Sequence, residues 1–200
     1  MRLADARADL EMRKALATSD QVVRGALVQQ VLEYVRERAG EEATRGGFAR
    51  PLQDKALFSP VSALEFLELL GEALEKLAPG GVTSGRFYRE IGRRAVFAIR
   101  DATIGRTMVS MSGGDPAQLF ERLGSGPSIL VAFGERRVTE VSRGRGRVVF
   151  TGSLLPPAIF AGMYCAMAEV VGARDVQCES TEPALGDTEH VITWSASLPP

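Results

Sequence analysis

The feature that most constrains the fold is a change in the spacing of apolar residues after Gly124. Before this glycine, apolar residues recur every three or four positions, as over 28–35, which is typical of helices that bury one face. After it, short apolar runs such as 129–133 lie between turn residues, which is typical of strands. The sequence therefore predicts that 22–124 is mainly helical and that 127–196 is mainly sheet, interrupted by one helix near 157–171.

This order of segments predicts an α+β fold. Turns, not crossover helices, join most of the predicted strands, so we expect an N-terminal helical layer packed on a twisted antiparallel sheet of about four to five strands. The 200 residues fit a single domain. We assign 22–200 to one α+β domain and 1–21 to an N-terminal arm or helix.

Turn and capping residues set the predicted limits of the helices. A helix over 22–38 ends at Gly40 and is followed by a loop over 41–57. Ser59 is the expected N-cap of a second helix, with Pro60 at its first position and apolar residues through 77.

The remaining limits are predicted in the same way. A third helix over about 87–99 is expected to break near Gly105, and a short helix starts after Asp115 and ends at Gly124. The expected strands are 129–133, 138–141, 147–150, 175–179 and 189–196. A turn over 142–146 precedes the strand at 147–150, a helix opened by Pro156-Pro157 follows it, and a loop with Pro183 and Gly186 joins the last two strands.

One histidine and two cysteines are the candidates for acid–base, redox or metal chemistry. Two-residue alternation places His190 on one strand face with Ile192 and Trp194, so we interpret it as a hydrogen-bonded structural residue at the edge of the core and expect His190→Ala to leave folding intact. A haem ligand is the alternative. Cys165 in an apolar helix and Cys178 in a strand are interpreted as core residues, because buried free cysteine packs as a small hydrophobe.

Other clusters favour surface roles. Arg143, Arg145 and Arg147 with intervening glycines, together with Arg136-Arg137, could grip phosphates, but a solvated hairpin tip is the preferred interpretation. Ser110 and Ser112 lack a nucleophile pattern, and 124–127 matches no phosphate-binding loop. The series Glu65, Glu68, Glu72 and Glu75 is predicted to be a solvated helix face.

Composition excludes several classes of protein. The net charge of -1 gives no global attraction to nucleic acid, and no apolar run approaches a membrane span or a secretory signal. Two cysteines are not a disulfide framework, which favours the reducing cytoplasm. We predict no catalytic, cofactor-binding or metal-binding residues, and no nucleic-acid partner.

Several short motifs occur in an order that resembles a family of uncharacterised myxobacterial proteins of about 200 residues. They are 23–27, 34–40, 89–93, 103–106, 114–116, the prolines at 156–157, and 160–162, and they span about 22–195. The second half is also similar to the superfamily of vinyl-4-reductase-type domains, haem-NO-binding domains and TRAPP-type subunits. That resemblance implies a helical layer on a twisted antiparallel sheet, often dimeric, sometimes with an apolar ligand pocket.

We therefore expect a non-catalytic cytosolic binding or interaction module. Its partner is another protein or itself, because the helices at 22–38 and 61–77 carry more apolar surface than a small sheet can cover. The alternative is a small-molecule sensor that binds an apolar ligand between the helices and the sheet. A cavity of about 300 Å³ or more would favour the sensor.

Overall fold

The helices and strands follow the predicted order. A computed structural model describes residues 3–45, 51–124 and 129–195. Its helices are α1 (Leu3–Leu16), α2 (Gly25–Ala39), α3 (Ala63–Leu77), α4 (Ser84–Arg100), α5 (Thr103–Ser112), α6 (Pro116–Leu123) and α7 (Pro157–Val170). Its strands are β1 (Val22–Arg24), β2 (Pro60–Ser62), β3 (Glu135–Ser142), β4 (Arg145–Thr151), β5 (Arg174–Ala184) and β6 (Asp187–Ser195).

The main sheet has the strand order β3-β4-β6-β5, with all neighbours antiparallel. Alternation along β4 and β6 buries one face, which carries Val148, Phe150, His190, Ile192 and Trp194. The helix α7 packs against this face and against α4. The predicted α+β class and antiparallel sheet are therefore confirmed.

The starts of the first two long helices differ from the prediction. Residues 22–24 and 60–62 are extended, since β1 and β2 pair antiparallel with Val23 opposite Val61. Ser59 and Pro60 therefore do not open α3. Its N-cap is Ser62, whose side chain accepts from the backbone of Leu64 while Glu65 accepts from the backbone of Ser62, a capping box that the sequence also contains.

Three other limits also differ. The chain turns between α4 and α5 at 101–102, and Gly105 lies inside α5 against the carbonyl of Ile99. The run 129–133 contributes one bridge, between Val131 and Val23, and no strand of the main sheet. Pro183 lies within β5, which it can do because β5 is an edge strand with an irregular register beside it.

Close contact between α4 and α7 holds the helical layer on the sheet. A Cβ atom on Gly92 would lie 1.9 Å from the carbonyl oxygen of Ile159, and one on Gly162 would lie 1.9 Å from that of Arg89. Each glycine thus faces the backbone of the other helix. The two helices approach as closely as they do because neither side chain is present.

The N-terminal segment is a helix that contacts both layers. Arg13 of α1 is buried, and its guanidinium donates to Asp9, to Glu182 of β5 and to the carbonyl of Leu155. The helix also packs against α3. The division into an arm over 1–21 and a domain over 22–200 stays a prediction.

The surplus apolar surface that motivated the dimer prediction is absent from α2 and α3. Their apolar core residues are buried within the single chain, where α2 packs on α3 and α4. The premise was wrong because α1 and α4 cover faces that the sequence alone left unassigned. A homodimer stays a prediction without this support.

Candidate functional site

Aromatic side chains fill the space between the helices and the sheet. Phe160 and Tyr164 of α7 lie over the inner sheet face, with the ring centroid of Phe160 4.8 Å from that of Phe150 and that of Tyr164 5.2 Å from that of His190. Phe120 of α6 stacks on Trp194 at 5.4 Å. The place where the sensor hypothesis put its ligand is therefore occupied by packed rings.

His190 lies inside this aromatic layer, not at its edge as predicted. Its Nδ1 is 2.7 Å from Oγ of Ser180 and its Nε2 is 3.0 Å from Oγ1 of Thr188, so both ring nitrogens are hydrogen-bonded. Burial lowers its pKa to about 4, and the ring is neutral at neutral pH. This geometry supports the structural interpretation of His190, but the expectation that His190→Ala would leave folding intact no longer holds.

A cleft lies beside the aromatic layer, bounded by α4, α5, α6 and α7 and reaching the β3 edge of the sheet. Its cavity volume is about 80 Å³, and it opens to solvent. Its walls are almost wholly apolar and include Met108, Met163 and Met167. Unbranched methionine side chains can adapt to a guest.

Tyr164 lines the cleft and has a buried hydroxyl. This residue is 2% exposed, and its hydroxyl has no hydrogen-bond partner among the described residues. Burial raises the pKa of Tyr164, so the phenol keeps its proton. A buried hydroxyl normally finds a partner, because an unpaired one costs about 1–3 kcal/mol.

Arg136 enters the same cleft from β3. It pairs with Phe150 in the sheet and so faces inward, whereas its neighbour Arg137 is exposed. Its Nε donates to the carbonyl of Leu123 at 3.0 Å. Burial lowers the pKa of Arg136 from its usual high value, and its positive charge in turn opposes the rise in the pKa of Tyr164. The cation and the hydroxyl therefore share one environment.

The two cysteines are neighbours across the α7–β5 contact. Both are buried and free. The hydrogen bond with Cys165 is the largest cause of the raised pKa of Cys178, and burial adds to it. The structure thus places both in the core, as predicted, and it brings together two thiols that lie far apart in the sequence.

The arginine-rich turn forms the β3–β4 hairpin tip. Arg145 and Arg147 lie 3.3 and 3.7 Å from carboxylate oxygens of Glu140, and Arg147 lies 3.3 Å from Glu189. The carboxylates neutralise the positive charges of these two guanidinium groups, which favours the predicted solvated hairpin over a phosphate-binding site. Of the other candidates, Ser112 donates to the carbonyl of Val109, and 125–127 lies outside the described residues.

The glutamates of α3 are only partly the solvated face that was predicted. Glu65 caps the helix, Glu72 bonds Lys76, and Glu75 pairs with Arg7 of α1 at 2.9 Å. Within residues 3–45, 51–124 and 129–195, no group of three or more His, Cys, Asp or Glu side chains could hold a metal ion. In the same ranges no helix has the length and apolar content to cross a membrane.

Tyr164 and Arg136 were not predicted as a pair from the sequence. Tyr164 was counted among the inward-facing residues of its helix and Arg136 among the basic residues near the hairpin. One signal was available, because alternation along β3 places Arg136 on the same face as Val138. An arginine on the buried face of a strand is unusual enough to mark a site.

Solved structures of two H-NOX proteins share this fold. The Fe(II) unliganded H-NOX protein from K. algicida superposes with a TM-score of 0.63 at 13% identity, covering 88% of this chain and 98% of that one. A point mutant of the H-NOX protein from T. tengcongensis gives 0.54 at 12% identity, covering 86% and 98%. At these identities the likeness shows the fold, and no curated protein matches the sequence.

H-NOX proteins are associated with haem, but the residues of this chain do not fit a haem group. Haem iron needs an axial side chain, most often histidine, and both nitrogens of His190 are already hydrogen-bonded. Tyr164 is a neutral phenol, and methionine ligates haem iron together with histidine.

The family model described as a protein of unknown function, DUF2378, matches residues 16–195. This match spans nearly the whole chain and includes every element from β1 to β6. The match confirms the predicted resemblance to a family of uncharacterised proteins. The chain belongs to the DUF2378 family.

Proposed function

We propose that this protein is a small-molecule sensor domain that binds an apolar ligand in the cleft between α4, α5, α6 and α7. The observation that carries the proposal is an apolar cleft lined by Tyr164, whose buried hydroxyl has no hydrogen-bond partner among the described residues. The fold shared with H-NOX proteins supports it. The shared fold favours the sensor over the interaction module that we first expected, whereas the cleft, at about 80 Å³, is smaller than the cavity of about 300 Å³ that we set as a criterion.

The size of the cleft limits the ligand. Pockets for drug-sized molecules measure roughly 300–1,000 Å³, and the cavity of the cleft is smaller than this range. A slender molecule can place one end in the cavity and the rest along its mouth. Movement of Met108, Met163 and Met167 can widen the passage without disturbing the sheet.

A non-catalytic role is part of the proposal. The one histidine is neutral, buried and bonded at both nitrogens, so it is badly placed for proton transfer to a ligand. The two cysteines lie at the α7–β5 boundary, and neither is among the residues that line the cleft. The residues that line the cleft can bind a molecule and orient it.

Methyl NMR of the methionines tests the proposal with internal controls. We expect decanol to shift the methyl signals of Met108, Met163 and Met167, which line the cleft, and to leave those of the exposed Met12 and Met111 unchanged. The uncharged probe tests the apolar cleft alone. Unchanged signals from all three cleft methionines would refute the proposal.

A pair of variants locates the binding. Val109→Phe places a larger side chain in the cleft wall and is expected to abolish the shifts. Ser110→Phe adds the same ring to the exposed neighbouring position of α5 and should leave them intact. Equal loss in both variants would mean that the probe binds to the surface of α5.

A further inference from the structure

The polar groups of the cleft are all donors or cations. Among its described lining residues, Arg100, Arg136 and Tyr164 have polar side chains, and none of the lining residues is acidic. Arg100 is exposed and donates twice to Asp101. The inner charge is therefore that of Arg136, and Tyr164 lines the same cleft.

The hydroxyl of Tyr164 needs an acceptor. The phenol keeps its proton at all ordinary pH values, so its oxygen carries an O–H donor. Backbone carbonyls of α7 are used within the helix, and no described side chain reaches the hydroxyl. A bound molecule that brings a lone pair to this point can supply that partner.

We propose that the ligand is a slender apolar molecule ending in a carboxylate, held by the hydroxyl of Tyr164 and the guanidinium of Arg136. This inference rests on the proposed function and specifies the chemistry of the same cleft. The apolar chain contacts the methionine and aliphatic walls, and the carboxylate accepts from both donors.

A carboxylate suits this place better than an alcohol or an amine. Hydrogen bonds from Arg to carboxylate are charge-assisted and about twice as strong as neutral ones. A buried carboxylate also requires a compensating cation, and Arg136 supplies it. An ammonium group would meet a like charge and no acceptor at the end of the cleft.

Calorimetric titration with three ligands of equal chain length tests the inference. For the wild type we expect decanoate to bind at least about tenfold more tightly than decanol, with decyltrimethylammonium weakest. Tyr164→Phe should weaken decanoate about fivefold or more, and it should fold normally because the hydroxyl has no protein partner to lose. Arg136→Gln should remove the preference for decanoate over decanol.

Matched variants separate charge from structure. Arg137→Gln removes a charge from the exposed face of the same strand and should leave the preference unchanged, whereas Arg136→Lys should keep part of it. Equal affinity of wild type for decanoate and decanol would overturn the carboxylate inference and leave the proposed function standing. Absence of binding by all three ligands would overturn both.

Discussion

At the scale of single residues, His190 shows how a side chain associated with function can serve the core. Its ring lies against Phe160 and Tyr164, and its nitrogens bond Ser180 and Thr188. Two-residue alternation was enough to predict the face on which it lies. The hydrogen bonds were not predictable, since Ser180 comes from the neighbouring strand and depends on the register of β5 with β6.

This environment makes stability depend on pH. The pKa of His190 is about 4 in the fold, against 6.5 for an ordinary histidine, so the unfolded chain binds a proton first as the pH falls. The stabilisation is complete above about pH 6.5, and up to about 1.4 kcal/mol per pH unit is lost between there and about pH 4. Denaturant titrations across this window should show that decline.

The variant His190→Gln separates the contribution of His190 to the pH dependence of stability from the contribution of the carboxylates. Glutamine can still hydrogen-bond but does not titrate, so the variant should be less stable at neutral pH and should lose less stability on acidification. Parallel pH profiles for wild type and variant would mean that His190 carries no such coupling.

At the scale of elements, the short motifs that marked the family resemblance have a physical explanation. The motif 89–93 contains Gly92 and the motif 160–162 contains Gly162, the two glycines at which α4 and α7 meet. Gly25 likewise faces the carbonyl of Ala56. These motifs therefore contain glycines that close backbone contacts of the fold require.

We expect Gly92→Ala and Gly162→Ala each to destabilise the fold by about 3 kcal/mol or more. The new Cβ would meet a backbone carbonyl, which cannot rotate away as a side chain can, so α4 and α7 would have to separate. Urea unfolding monitored by circular dichroism measures the change.

Gly85→Ala is the matched control on the same helix. Its Cβ would meet no atom within 4 Å, so the variant should gain up to about 1 kcal/mol from helix propensity. Similar destabilisation by all three substitutions would show that the contact between the helices is not the cause.

The same elements show how far the sequence could predict the fold. The change of periodicity after Gly124, the cap at Asp115 and the prolines at 156–157 were sufficient for helix–sheet order and for several helix limits. Local patterns could not predict that 22–24 and 60–62 pair as strands, because their partner lies far along the chain. Nor could they predict the cleft, which needs the relative placement of four helices.

At the scale of the whole molecule, the chain combines an H-NOX-type fold with an interior unsuited to haem. Aromatic rings fill the space between the helices and the sheet, and a narrow cleft lies among the helices. The charged side chains of the β3–β4 hairpin pair with carboxylates of the same sheet. Ligand binding is therefore expected in the cleft among the helices, to which β3 contributes Arg136.

Native mass spectrometry of the protein, incubated with equimolar ferric haem and excess decanoate, tests this account most directly. We expect the 21.5 kDa chain with one decanoate and no stoichiometric haem, and loss of the decanoate complex in Val109→Phe. A stoichiometric haem complex, or a chain that binds neither molecule, would contradict it.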